Sequence, residues 1–212
     1  LRFGLLLLGD PIASLTVSHK ISSFEAKSLT ARRGGTWVQR WRVPLGFVIA
    51  PIFVLLAKPK PWTLAVGAAI GLAGLALRAW ASGHLRKNDA LATTGPYAYT
   101  RNPLYVGSFL IGVGFTVAAG RWELALLFAA LFLGIYVPVM RVESETLEQL
   151  FGHKYRRYAQ AVPLFVPRLT GYEGVAKTGF DVALYKRYRE YQAAIGFALA
   201  LAVLVAKAIW FR

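Results

Sequence analysis

Apolar positions in this chain gather into long runs separated by short polar interruptions, and the lengths of those runs are the first constraint on its fold. Five runs suit helices that cross a bilayer, over roughly 41–57, 62–82, 103–119, 122–140 and 190–209. Each is near the length of about 20 residues that a hydrocarbon core demands. Lys58, Pro59, Lys60 and Pro61 part the first two runs, and Gly120 with Arg121 part the third from the fourth. Both pairs read as tight helical hairpins. Gly67, Gly71 and Gly74 thin one face of the second predicted helix, and Gly107, Gly112 and Gly114 thin the third, which predicts close helix packing. A different period follows the fourth run: Leu147, Leu150, Phe151, Tyr155, Tyr158 and Val162 recur at steps of three and four. This predicts a separate amphipathic helix within 141–168, starting just beyond Pro138 and lying against the membrane surface. The expected fold is all-α, a polytopic membrane protein of about five transmembrane helices. It divides into a lead-in of unknown role at 1–40, a core at 41–168, and a linker with a C-terminal transmembrane helix at 169–212. The opening "LRFGLLLLGD" is too short an apolar run for a signal peptide or a span.

Composition supports the membrane reading and redirects the charge. Hydrophobic residues make up 56% of the 212 residues, and mean hydropathy is +0.47, above what a soluble domain of this size carries. A net charge of +15 would suit nucleic acid, but the cations flank the apolar runs instead of forming one basic face. Anionic lipid headgroups are therefore the expected partners, not nucleic acid. Only Lys58, Lys60, Arg121, Lys207 and Arg212 fall at one set of helix ends, while Arg32, Arg33, Arg40, Arg42, Arg86, Lys87, Arg101 and most others fall at the opposite set. The positive-inside rule puts that richer side, with the polar stretches at 83–102 and 141–189, in the cytoplasm. The six Trp residues lie near span ends, as an aromatic belt requires. With no Cys, thiolate chemistry and Cys-ligated metal are excluded.

Candidate chemistry concentrates in the two polar stretches on that side. In "TTGPYAYTRNPLYVG", Gly95 and Pro96 set a turn, Asn102 suits a helix cap, and Pro103 suits a first helical turn. Free N–H groups at such a helix start attract an anion, and Arg101 beside them adds forked donors suited to carboxylate or phosphate. An interfacial Arg with its chain bent toward headgroups is the plainer alternative. Glu143 and Glu145 have two readings as well: a pairing with Arg141 or Arg101 near a helix start, or acceptance of a ligand's hydroxyls. His19, His84 and His153 are too scattered for a three-histidine metal site, so no metal is expected. No Walker loop, dinucleotide fingerprint or Ser-His-Asp pattern occurs in a plausible context.

The residues from "LATTGPYAYTRNPLYVG" onward resemble the membrane methyltransferase superfamily that includes isoprenylcysteine carboxyl methyltransferases and phosphatidylethanolamine N-methyltransferases. Its signature reads G-x-Y-x-x-x-R-H-P-x-Y-x-G, followed by an acidic cluster, "FG-x-x-Y-x-x-Y" and "V-P-x-x-x-P". Here these appear as Glu143 to Glu145, "FGHKYRRY" and "VPLFVP", in order, across about 62–168. The resemblance implies an S-adenosylmethionine-dependent integral membrane enzyme that methylates a lipid or lipid-modified carboxylate or amine. It implies a cytoplasmic cofactor pocket between the loop before the third span and the helix after the fourth, in a bacterial inner membrane. Carried over residue by residue, Arg101, Asn102 and Glu143 form the working centre. Asp89, Ala90, Leu91, Ala92, Tyr97, Arg101, Asn102, Pro103, Leu104, Tyr105 and Glu143 contact the cofactor. Two positions depart: Asn102 replaces the usual His, and Ser144 replaces the second Glu of a usual pair. The superfamily also holds NADPH-dependent sterol reductases, so a reductase remains an alternative, as does a non-catalytic scaffold.

Overall fold

Helix formation in the described chain begins at α1, over 49–56, and the proline-rich link after it opens directly into α2 (Pro61–Ser82). A computed structural model describes residues 49–86, 90–173 and 179–210. A single 3-10 turn at Gly95–Ala98 follows, then α3 (Pro103–Ala119), α4 (Trp122–Phe151), α5 (His153–Ala161), α6 (Val182–Arg187) and α7 (Tyr191–Trp210). Every described residue belongs to one compact unit, Phe47–Arg212. The lead-in at 1–40 and the start of the run at 41–57 lie outside the described residues. The described structure is all-helical, and α2, α4 and α7 are long and apolar enough to cross a membrane. The apolar α3 has 17 residues, about 25 Å at 1.5 Å per residue.

Both predicted hairpin breaks occur. Pro61 supplies the first turn of α2, and the Lys60 N–H donates to Thr63 Oγ1 at 2.9 Å, which settles one donor at that helix start. The Lys58 N–H donates to the Ala119 carbonyl at 2.8 Å, tying this turn to the end of α3. The glycine faces work as expected between α2 and α3. A Cβ on Gly74 would stand 2.6 Å from the Gly107 carbonyl oxygen, and one on Gly67 would stand 2.6 Å from the Ala118 nitrogen. The two helices therefore pack backbone to backbone. Gly112 differs: it faces α4, where it receives the Phe128 ring.

The C-terminal helix closes the bundle through both ends. Phe197 fills the notch at Gly71, and Leu204 packs with Ala57, Ala118, Ala119 and Leu124. Lys207 Nζ donates to the Val54 and Leu55 carbonyls at 2.6 and 2.7 Å, covering acceptors that the end of α1 leaves open. At the other end, Glu190 grips Arg78 of α2.

One expectation needs correction. The fourth helix does not stop near residue 140, and no new helix starts at Glu143. Instead α4 runs through Pro138 to Phe151, 30 residues in all, about 45 Å. Residues 139–151 are mostly strong helix formers, which outweigh one lost backbone hydrogen bond at Pro138. The break comes at Gly152, whose φ of 56° suits glycine, and α5 turns back from there. The predicted apolar stripe survives as contact across this corner. Leu147 and Phe151 from α4 pack against Tyr155, Tyr158 and Val162 of α5 and the residue after it.

Candidate functional site

The loop before α3 is held by a strap formed from residues 162–172. The Arg101 N–H donates to the Pro163 carbonyl, the Arg168 N–H to Tyr99, and the Tyr172 N–H to Ala98, each at 2.9 Å. Thr100 Oγ1 donates to the Phe165 carbonyl at 2.9 Å. Asn102 Nδ2 donates to the Leu164 carbonyl, also at 2.9 Å. Asn102 precedes α3 as expected, but its side chain caps no N–H of that helix. Pro103 has already removed one donor from the first turn, so the amide serves the strap's carbonyl instead.

Above this loop, α5 contributes two buried tyrosines. Tyr158 donates its hydroxyl to the Tyr97 carbonyl at 2.6 Å. Tyr155 donates to Ser144 Oγ at 2.7 Å and accepts from Arg101 Nη1 at 3.2 Å. Ser144, which stands where the superfamily pattern has a second Glu, thus ends a short chain that orients Arg101. Tyr105 donates to Glu143 Oε2 at 3.1 Å, joining the first turn of α3 to the extended end of α4. Burial, and then the charge of Glu143, pushes the Tyr97 phenol above its ordinary value. Burial does the same for Tyr158, with Arg101 opposing. Both therefore stay protonated at neutral pH. Among the described residues two polar atoms here are buried with no partner, Arg101 Nε and Thr93 Oγ1.

Most of the expected site residues come together. Arg101, Asn102, Pro103, Leu104 and Tyr105 follow one another into α3, Glu143 faces Tyr105, and Tyr97 lies beneath Tyr158. Leu91 packs on the Tyr155 and Tyr158 cluster. Ala90 is exposed and Ala92 half-buried, while Asp89 lies outside the described residues. Neither ion pairing proposed for Glu143 is present: among the described residues it pairs with neither Arg101 nor Arg141. His84 is occupied structurally, with Nδ1 3.0 Å from the Trp80 carbonyl and its ring over Gly95. No cluster of three potential metal ligands occurs among the described residues.

Sequence reasoning missed Thr93, Ser144, Tyr155 and Tyr158 as site residues, and it missed Arg78. Arg78 donates through Nε and Nη2 to both Glu190 oxygens at 2.8 to 3.0 Å, and through Nη1 to Ser108 Oγ at 2.6 Å and the Leu104 carbonyl at 3.3 Å. One guanidinium thereby joins α2, α7 and the first turns of α3. An arginine inside an apolar run was the available signal, because such a residue needs a partner or an exit to water.

A sequence model of the phospholipid methyltransferase family matches residues 71–154, the stretch that holds Arg78, the loop, α3 and Glu143. The isoprenylcysteine O-methyltransferase of Schizosaccharomyces pombe is 33% identical over 81 residues, 38% of this chain and 34% of that protein. Residues 71–154 are thus similar to the phospholipid methyltransferases, and part of the chain is similar to an isoprenylcysteine methyltransferase. Over a longer stretch the chain is similar to the cobalt-zinc-cadmium resistance protein CzcN of Cupriavidus metallidurans. The two are 29% identical over 184 residues, 82% of this chain and 83% of that protein. The nickel-cobalt-cadmium resistance protein NccN of Alcaligenes xylosoxydans xylosoxydans is 31% identical over 137 residues, 61% of this chain and 64% of the relative. No solved structure matches at a significant level. The family match over 71–154 and three helices long and apolar enough to cross a membrane support an integral membrane protein similar to these methyltransferases.

Proposed function

We propose that this chain moves a methyl group from S-adenosylmethionine to a carboxylate or amine on a lipid or lipid-modified acceptor, at the cytoplasmic face of a bacterial inner membrane. The observation that carries the reading is the pair of unpartnered buried atoms, Arg101 Nε and Thr93 Oγ1, on the loop that the family motif covers. A buried donor without an acceptor costs about 1–3 kcal/mol, more for a charged group, so it points to a ligand. The carboxylate of the cofactor's amino acid end fits a guanidinium N–H of this kind. Arg101, the second N–H of Asn102 and the start of α3 at Pro103 and Leu104 would hold that end. Tyr105 and Glu143 suit the ribose hydroxyls. The backbone of Asp89 to Ala92, with Tyr97, suits the adenine.

Bound there, the cofactor supplies a methyl group on a sulfonium, ready for in-line displacement. The chain's own residues have a modest chemical task, which is to fix the donor and keep water out while the acceptor approaches from the bilayer. Alignment of this kind is worth roughly 7–11 kcal/mol at its upper range. Tyr97 and Tyr158 stay protonated and Asn102 does not titrate, so these three act as donors and not as bases. A carboxylate acceptor would need no base; an ammonium would first have to lose a proton.

Calorimetry on the detergent-purified protein tests the reading. S-adenosylmethionine should bind, and Thr93→Val, which removes the orphaned hydroxyl at nearly constant volume, should weaken binding while leaving the ligand-free protein as stable or more so. Glu143→Ala should weaken it by about 1–3 kcal/mol, with Glu145→Ala doing less. Binding of NADPH in its place, or of neither compound, would reject the proposal.

A further inference from the structure

The segment that closes the candidate site also presents an unusual outer surface. On α5 the inward face is Tyr155 and Tyr158, both buried, while His153, Lys154, Arg156 and Arg157 all face outward and are exposed. Arg156 has a carboxylate partner in Glu148 at 3.2 Å. Lys154 and Arg157 have none among the described residues. Beside these cations the strap exposes apolar side chains, with Val166 71% and Leu169 99% accessible. A polar loop in water has no reason to hold Leu and Val in that state.

The position of the strap supplies the reason. Phe165 packs edge-on against Phe109 of α3 and more obliquely against Phe132 of α4, with ring centroids 5.6 Å apart in both cases. Those two rings belong to apolar helices, one of them long enough to span, so a bilayer around these helices would bring hydrocarbon to the level of Phe165. In such a bilayer Val166 and Leu169, close by in sequence, would meet lipid, and the α5 cations would meet headgroups. Apolar side chains below a row of cations are the composition of a segment held at an anionic interface.

We infer that anionic phospholipids of the surrounding bilayer bind the Lys154 and Arg157 surface and thereby clamp the site shut. The coupling is structural and independent of methyl transfer. The same α5 holds Arg101 through Tyr155 and the Tyr97 carbonyl through Tyr158, and the same strap holds Thr100, Arg101 and Asn102. Phosphate-bearing headgroups that fix α5 at the interface oppose the opening of every one of those bonds. The bilayer's charge therefore sets how much of the time the loop 97–102 is ordered.

Hydrogen exchange on the full chain in nanodiscs tests this. In discs of phosphatidylcholine alone, and in discs with a third of that lipid replaced by phosphatidylglycerol, amide exchange is followed over 97–102 and 153–168. The anionic lipid should slow exchange in both segments by about tenfold, equivalent to ~1.4 kcal/mol, within the reach of two interfacial cations at about 1 kcal/mol each. Lys154→Gln with Arg157→Gln should abolish that difference while leaving exchange in phosphatidylcholine unchanged, and high salt should reduce it. Equal exchange in the two discs, a difference that survives the double substitution, or full reproduction by inorganic phosphate added to phosphatidylcholine discs would overturn the inference. Cofactor affinity is not the readout, so this result stands or falls apart from the proposed reaction.

Discussion

Asn102 shows how one residue can keep a position in a motif while changing its work. Its place before α3 makes it look like a cap, and its backbone is where a cap's would be, yet its amide reaches 2.9 Å to the Leu164 carbonyl across the strap. A leucine there would remove that bond and leave the Leu164 carbonyl only the long 3.5 Å contact from Thr100 Oγ1, at about 1–3 kcal/mol. Asn102→Leu should therefore loosen the strap, lowering both thermal stability and S-adenosylmethionine affinity. Asn102→His should retain a donor and add a titration step near pH 6–7, seen as a pH-dependent affinity that the wild type lacks. Unchanged affinity in Asn102→Leu would leave the anion site to Arg101 and backbone N–H groups. The motif's spacing singled this residue out. It could not say which carbonyl the amide would meet, because that partner is 62 residues away in sequence.

Among the elements, the α2–α3 pair is the most constrained, because its contact is made by backbone. A methyl group on Gly74 meets the Gly107 carbonyl and the Ile111 nitrogen, neither of which can rotate aside. Gly134 on α4 has nothing within 4 Å of an added Cβ. Gly74→Ala should push the helices apart and lower the melting temperature of the detergent-solubilised protein, at the roughly 1–3 kcal/mol typical of overpacking. Gly134→Ala should be neutral or mildly stabilising, since alanine is the better helix former by ~1 kcal/mol. Equal melting temperatures for Gly74→Ala and the wild type would show that the seam is looser than described. The α4–α5 corner taught the opposite lesson about elements. The apolar stripe from Leu147 to Val162 was legible, but the helix that seemed to carry it is two helices, joined where Gly152 takes a positive φ.

At the scale of the whole molecule, the described site lies at one end of the bundle, and the uneven distribution of cations gives that end its predicted side. The native chain has no Cys, so single cysteines report topology cleanly. In intact cells Arg121→Cys should react with an impermeant thiol reagent, while Lys154→Cys should react only after the membrane is permeabilised. The reverse pattern would turn the protein over and place the site outside. Arg78 and Glu190 matter at this scale too, because they tie the C-terminal helix, which lies beyond the family match, to the start of α3 at the site.

What the sequence by itself determined is whatever depends on neighbours along the chain. Runs of apolar residues marked the helices, Pro103 marked a start and Gly120 an end, and the third span's bounds of 103–119 coincide with α3; Pro61, read as part of a break, is the first residue of α2. The motif order showed the resemblance to membrane methyltransferases that the match over 71–154 supports, and it singled out the loop before α3. Tertiary structure alone decided the partners: Tyr155 bridging Ser144 and Arg101, the strap's carbonyls taking Asn102 and Thr100, and Arg78 meeting Glu190 from 112 residues away. Periodicity reports which face of a helix is apolar, because that follows from 3.6 residues per turn. A hydrogen bond between distant segments follows from how whole helices pack, and such packing leaves no local period to read.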